Sequence, residues 1–408
     1  MADFHKIKRL PAYVFEPVNQ LKERALANGI DVIDLAMGNP DMPTPPAIVE
    51  KLRAVVMDPL SHRYSTSRGI ADLRRAQAAY YSRRFGVKLN PETEVVATLG
   101  SKEGFANMAQ AITAPGDVVL CPNPTYPIHA FGFLMAGGMV RSISAVPDDT
   151  FFGPVESAIR HSIPKPIAIV LNYPSNPTGY VASLDFYKDV IAFARKHHLI
   201  VLSDLAYAEI YFGNEPPPSV LQVNGATEVA VEFTTMSKTF AMPGWRLGFA
   251  VGNERLLAAL VRVKSYLDYG AFAPIQVAAA HALEGDGSDI AQIRSIYKSR
   301  RNVLAECFSE AGFEATAPAA GMFSWLPIPR RFQHLGSVAF AQRLVEQANV
   351  AVAPGIGYGD QGDTHVRVAF VENEQRIRQA AHNIGKFLAT RTDDDALATP
   401  PPQQNRIG

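Results

Sequence analysis

The sequence predicts an α/β protein, a mainly parallel sheet covered by helices on both faces and followed by a smaller α+β domain. Three observations carry that prediction. Short apolar runs alternate with helix-length segments from about residue 94 to residue 251. One run, residues 167–171 (IAIVL), is apolar without interruption, as a strand buried on both faces should be. Residues suited to chemistry recur just after the runs, where open parallel sheets hold their ligands: Ser101, Asn176, Asp204 and Lys238.

Taken in order, residues 94–98 (EVVAT) read as a strand that leads through Gly100-Ser101 into a helix ending near Ile112. Residues 117–121 (DVVLC) read as the next strand and 124–134 as a helix. After the run at 167–171, residues 183–198 carry helical periodicity with Ser183 as N-cap. Residues 200–202 form a short strand that ends in Ser203-Asp204, and 229–233 and 247–251 are two more. Beyond Leu283 the alternation stops. A long helix at 289–312, strand-like pieces at 322–326 and 365–370, and helices at 337–347 and 374–388 predict the smaller domain. The expected division is an N-terminal segment, 1–45, that joins the small domain, a large domain over 46–283 and a small domain over 284–390. Residues 391–408, with Asp393-Asp394-Asp395 and Pro400-Pro401-Pro402, hold too little apolar surface to pack and are expected to be disordered.

Composition narrows the function classes. With 408 residues, 47% of them hydrophobic and 19% charged, the chain can build the cores of two ordinary domains. Its 39 basic and 39 acidic residues cancel, so charge supplies no argument for nucleic acid or a membrane surface as partner. The two cysteines, Cys121 and Cys307, lack metal-ligand spacing, and no metal is expected. No apolar run approaches the roughly 20 residues of a membrane span, and residues 1–10 lack the apolar core of a secretory signal. The expected location is the cytoplasm.

The chemistry-bearing residues have individual readings. Lys238 stands in Ser237-Lys238-Thr239 just after an apolar strand. A lysine reacts with a carbonyl only as the neutral amine, which desolvation or a nearby cation favours. Alone, such a dipeptide is more often a surface lysine. Arg246 lies one short loop downstream, between Gly244 and Gly248, and its planar fork suits a phosphate. Asp204 at a strand end is costly unless a cation pairs with it; an N-cap is the plainer reading. Asn176-Pro177-Thr178-Gly179 is a turn by its Pro and Gly. Gly100-Ser101-Lys102 before a helix offers free amides to an anion or simply caps the helix. Tyr126 reads as a core tyrosine and Arg367 as a strand arginine facing solvent.

Together, TMSKTFAMPGWRLG at 235–248, YPSNPTG at 173–179, SDLAY at 203–207 and Gly38-Asn39-Pro40 resemble the class I/II pyridoxal-phosphate-dependent aminotransferases of fold type I. The resemblance runs from about Leu10 to about Leu388, with the pieces in family order. It implies a large domain built on a mainly parallel seven-stranded sheet, and pyridoxal 5'-phosphate as cofactor. It further implies that Lys238 holds the cofactor as a Schiff base, that Asp204 pairs with the pyridine nitrogen, and that Tyr207 and Asn176 bind the phenolic oxygen. Ser101, Lys102, Arg246 and Thr235 are implied for the phosphate, although Thr235 stands where relatives usually carry serine or glycine. Tyr126 would stack on the ring. Tyr64 would reach a neighbouring subunit's phosphate, which implies a homodimer with shared active sites. Gly38, Asn176, Arg367 and Tyr13 are implied for the substrate, with Arg367 on its α-carboxylate.

Around Tyr13 and over 264–276 (KSYLDYGAFAPIQ), the resemblance is to the bacterial alanine aminotransferase branch, which is close to the LL-diaminopimelate aminotransferases. No second arginine carries over from aspartate-specific relatives, which suits a small neutral side chain. The expected reaction is ping-pong transamination between an L-amino acid, alanine, and a 2-oxo acid, 2-oxoglutarate. The rivals are LL-diaminopimelate or aspartate transamination, a carbon–sulfur lyase of the same fold, and a non-catalytic regulatory domain. The intact Lys238 argues against the last, as do the about 35 residues ahead of Gly38, too few for a fused helix-turn-helix module.

Overall fold

The computed structural model describes residues 4–390, so the expected disordered tail at 391–408 lies outside the described residues. The chain forms two compact units. One holds Gly38–Ser299 and Pro318–Phe323 together with residues 4–12; the other holds Tyr13–Met37, Arg300–Ala317 and residues 324–390. This differs from the expected division at four places: residues 4–12, 38–45, 284–299 and 318–323 all fall in the larger unit. Residues 38–45 belong with the larger unit, where Thr44 Oγ1 donates to the Ala241 carbonyl at 2.8 Å. Residues 284–299 do so as well, and Arg294 clamps Glu209 through both its backbone carbonyl, 2.8 Å, and its carboxylate, 2.9 Å.

The larger unit is built on a seven-stranded sheet. Its strands are β1 (Val95–Thr98), β2 (Val118–Asn123), β3 (Met139–Ser144), β4 (Pro166–Asn172), β5 (Ile200–Asp204), β6 (Ala230–Thr235) and β7 (Gly248–Gly252). The spatial order is β1-β7-β6-β5-β4-β2-β3. Only β7 runs against its neighbours. It follows β6 through a single-turn helix and a 3-10 turn rather than a crossover helix, so the chain can only return antiparallel.

Alternate residues of each strand enter two separate cores. Leu120, Ile169, Leu171 and Val201 pack on one face, and Val119, Ala168, Val170 and Leu202 on the other. Both faces are covered, which is why the sequence shows these strands as unbroken apolar runs. Burying each of these Leu, Ile and Val side chains contributes about 1.5–3 kcal/mol. Strand β3 has no counterpart among the expected strands. It is the sheet edge, and its exposed Met139, Arg141 and Ser142 hide the periodicity while protecting the edge from pairing. The helix expected from residue 124 begins at Ile128, because Pro124 and Pro127 hold the preceding chain out of the helix.

The helices that position the site are α1 (Ala71–Phe85), α2 (Ser101–Ile112), α3 (Ile128–Ala136), α4 (Leu184–His197), α5 (Met236–Thr239) and α6 (Glu254–Leu267). In the other unit, Ile33–Asp34 pairs in parallel with Val350–Ala351. Strand His365–Ala369 is central to a three-stranded sheet with Ala353–Pro354 and Phe323–Pro327.

One carboxylate lies wholly inside the larger unit. Glu232 of β6 accepts from Tyr81 Oη at 3.0 Å, Ser219 Oγ at 2.5 Å, Ser203 Oγ at 3.1 Å and the Val220 amide at 3.1 Å. Burial outweighs these donors and pushes its pKa from 4.5 up to about 7. Between those two values the folded protein keeps a proton that the unfolded chain releases. Stability from this group is therefore full below pH 4.5 and declines as pH rises towards 7, by up to about 3 kcal/mol. Glu232→Gln removes the titration. The wild-type minus variant difference in unfolding free energy, measured by urea titration, should fall across that window and level off above it. A difference that stays constant across it would contradict the assignment.

Candidate active site

The chemistry-bearing residues gather at one end of the larger unit's sheet. The register there pairs Asn172 with Asp204, Thr235 with Gly248 and Thr98 with Gly248. Five strand ends thus bring together residues from widely separated motifs.

Strand β6 ends at Thr235, whose hydroxyl caps α5 by accepting from the Ser237 amide at 3.1 Å and donates to the Leu247 carbonyl at 3.4 Å. Lys238 sits half-buried on α5 and donates from Nζ to the Gly38 carbonyl at 2.7 Å. The Gly38 loop and the lysine, far apart in sequence, therefore meet. An amine held by a neutral carbonyl in a half-buried site is well placed to act as a nucleophile.

Strand β5 ends at Asp204, 8% exposed. Its Oδ2 lies 2.9 Å from Nε2 of fully buried His129, and its Oδ1 accepts from the Ala206 amide at 3.1 Å. On the other side of the imidazole, Nδ1 is 2.7 Å from Thr125 Oγ1. An ionised Asp204 accepts only, so the proton belongs on Nε2, leaving Nδ1 to accept from the threonine hydroxyl. Thr125 in turn accepts from Asn172 Nδ2 at 3.3 Å, and the same amide donates to the Asn176 carbonyl at 2.9 Å. One polar chain thus runs from the 172–179 loop to the carboxylate. Buried Tyr207 packs edge-on to Phe323 at 5.7 Å, and part-buried Tyr126 packs edge-on to His129 at 5.9 Å.

Strand β1 ends at Thr98, and the loop Leu99-Gly100 turns into α2 at Ser101. Gly100 has φ +87°, and a side chain there would overlap the Arg246 guanidinium. Arg246 itself has φ 54°, just past the 3-10 turn Pro243–Trp245. Its Nη1 donates to the Pro243 carbonyl at 2.8 Å and its Nη2 to the Leu99 carbonyl at 3.4 Å. A Cβ on Gly248 would come within 2.6 Å of the Ser101 amide nitrogen, so β7 abuts the loop as only glycine permits. The result is an exposed guanidinium beside the first free amides of a helix, a ready anion site. Lys102 Nζ lies 5.7 Å from the Tyr126 ring centre.

The remaining expected site residues have contacts of their own. Tyr64, 86% exposed, packs on Tyr269 with ring centres 4.9 Å apart. In the other unit, Arg367 is buried, donates from Nη2 to the Ala36 carbonyl at 2.7 Å and stands 4.8 Å over the Tyr358 ring. Exposed Tyr13 packs edge-on to Phe15 at 5.3 Å.

The residues present fit pyridoxal phosphate. A buried carboxylate braced by an imidazole suits a protonated ring nitrogen, a half-buried amine suits an aldehyde, and guanidinium plus helix amides suit a phosphate dianion. Sequence reasoning missed His129, Thr125 and Asn172. His129 and Thr125 are four residues apart across a helix start, but a lone histidine in the apolar stretch IHAFGFLMA reads as core.

Residues 30–384 match the family described as aminotransferase class I and II. AatC of Rhizobium meliloti (strain 1021) is 73% identical over 390 residues, covering 96% of each chain. The glutamate-pyruvate aminotransferase AlaC of Escherichia coli (strain K12) is 50% identical over 381 residues, covering 93% of this chain and 92% of that one. An LL-diaminopimelate aminotransferase of Aquifex aeolicus (strain VF5) is 38% identical, with 93% and 97% covered. Among solved structures, substrate-bound BacF from Bacillus subtilis superposes with a TM-score of 0.89 at 36% identity, covering 95% of this chain and 98% of that one.

Proposed function

The chain belongs to the class I and II aminotransferase family, and from that premise we propose that it transfers the amino group of L-alanine to 2-oxoglutarate in a ping-pong reaction. The broader activity comes with the family: a pyridoxal-phosphate-dependent aminotransferase, acting on amino acids and 2-oxo acids. The observation that carries the narrower reading is 50% identity, over nearly the whole of both chains, to a glutamate-pyruvate aminotransferase. LL-diaminopimelate as donor is a second reading, favoured by relatives of that name at 38–40% identity.

Bound pyridoxal phosphate supplies an electron sink for the charge that develops at the substrate Cα. Each residue then has a task. Lys238 Nζ would hold the cofactor and would move the proton at the substrate Cα. Asp204, braced by His129, holds a proton on the ring nitrogen. Asn176 and Tyr207 bind the phenolic oxygen, and Tyr126 covers the ring. Ser101, Lys102, Thr235 and Arg246 bind the phosphate. Arg367 takes the α-carboxylate through its fork, with Gly38 and Tyr13 beside the substrate.

The active form in this reading is a homodimer. Met57, Leu60, Tyr64, Tyr266, Leu267 and Tyr269 are all exposed, and their two segments are joined by the Tyr64–Tyr269 contact and by Ser67 Oγ donating to the Asp268 carbonyl at 2.5 Å. A second copy would cover this apolar patch and place Tyr64 at its partner's phosphate. A cytoplasmic location suits the two buried free thiols, Cys121 and Cys307.

The test is a donor panel with 2-oxoglutarate: L-alanine, L-aspartate, LL-diaminopimelate and an aromatic amino acid. L-alanine should lead in kcat/KM by about tenfold or more, a margin that side-chain fit can supply. A lead for LL-diaminopimelate would select the second reading. Ammonia release without any keto acid would mark a lyase.

A further inference from the structure

We propose that Lys264 is a positioning residue that sets the phosphate-binding loop through a buried ion network. Its side chain is fully buried on the last turn of α6. The ammonium lies 3.3 Å from Glu103 Oε1 and 3.0 Å from Asp268 Oδ2. A buried ammonium is tolerated only when so paired, and this one holds two carboxylates that would otherwise repel each other.

Each carboxylate grips a different loop. Glu103 lies in the first turn of α2, and its Oε2 accepts from the Leu99 amide at 2.8 Å. The Leu99 carbonyl accepts from Arg246 Nη2, so Glu103 and Arg246 both hold Leu99, one at its amide and the other at its carbonyl. Asp268 Oδ1 accepts from the Gly270 amide at 2.6 Å, and its carbonyl accepts from Ser67 Oγ. Gly270 has φ +82°, and a side chain there would overlap the Thr66 carbonyl. The segments carrying Tyr64 and Tyr269 are thereby tied to the same ammonium. One buried cation thus shapes both elements assigned above to phosphate: the Leu99–Ser101 loop and the Tyr64 segment.

The inference rests on the reading of that loop and Arg246 as the phosphate site. A network that pre-organises donors strengthens binding of the group they face and leaves contacts elsewhere unchanged. Pyridoxal, which lacks the phosphate, separates this role from a merely structural one. The experiment measures dissociation constants of the apoprotein for pyridoxal phosphate and for pyridoxal by absorbance titration. Lys264→Met should weaken pyridoxal phosphate by about tenfold or more and pyridoxal by less than about twofold. Unchanged pyridoxal phosphate affinity, or equal loss for both ligands, overturns the proposal. Glu103→Gln keeps the side-chain volume but cannot offer acceptors to both the Leu99 amide and Lys264. It carries the test if Lys264→Met does not fold, with an expected loss of about threefold confined to the phosphorylated ligand. Arg246→Ala distinguishes the two failures. If it loses phosphate-dependent affinity while the network variants do not, only the positioning role falls. If it keeps wild-type affinity, the phosphate reading falls and takes the proposal with it.

Discussion

Lys238→Ala chains are expected to fold, to bind pyridoxal phosphate without a covalent link, and to turn over about ten-thousandfold more slowly than wild type, the upper range for loss of a positioned acid–base group. The geometry motivates the size of the effect. Lys238 is half-buried on a single-turn helix capped by Thr235, and its Nζ is held by the Gly38 carbonyl. Borohydride should fix the cofactor to Lys238 in wild type, as peptide mapping would show, and to nothing in the variant. Label on a different lysine would remove the central assignment. The same variant reports on the shared dimer. Tyr64→Phe chains keep Lys238, and Lys238→Ala chains keep Tyr64, so a mixed dimer holds one site intact at both positions. If each homodimer is strongly impaired, random one-to-one mixing should restore roughly a quarter of wild-type activity, since half of the dimers are mixed and each has one working site of two. Confirmed mixed dimers without recovery would mean that Tyr64 serves its own chain's site.

Which features were legible in the sequence follows from the physics of each. Strands β2, β4 and β5 could be read because a parallel strand buried on both faces must be apolar throughout; Asp204 stood out because it interrupts that rule at a strand end, and Asn176 because its Asn-Pro-Thr-Gly turn follows such a strand. Strand β3 could not, because an edge strand carrying Arg141 has the composition of a loop. The polar chain from Asn172 through Thr125 and His129 to Asp204 joins three segments, and each member alone looks like a cap or a core residue. Lys264 was hidden for a related reason. A lysine in the last turn of a helix ordinarily serves the helix dipole at the surface, and only its tertiary partners, Glu103 and Asp268, reveal a buried charge. The association of residues 38–45 with the larger unit depends on bonds such as Thr44 to Ala241, which no local pattern announces.

Asp204→Asn is the sharper probe of the electron sink, because it keeps shape and removes charge. Asparagine keeps one acceptor oxygen, for His129 Nε2 or for the Ala206 amide but not for both, so the melting temperature is followed alongside the kinetics. What changes is the group offered to the ring. A carboxylate stabilises a protonated pyridine nitrogen, whereas an amide N–H donates to an unprotonated one and so favours the weaker electron sink. Only the reacting state needs the sink fully, so the loss should fall on kcat rather than on cofactor affinity. The expected result is a drop in kcat of about a thousandfold, within the range for loss of a catalytic proton, with pyridoxal phosphate affinity within about tenfold of wild type. Three observations make the proposed role of Asp204 testable in one variant: kcat, the cofactor dissociation constant and the melting temperature. A variant with near-normal kcat would show that the ring proton is not held by this carboxylate. A variant that loses affinity and stability together, with kcat of the remaining loaded enzyme intact, would make Asp204 a structural partner of His129 instead.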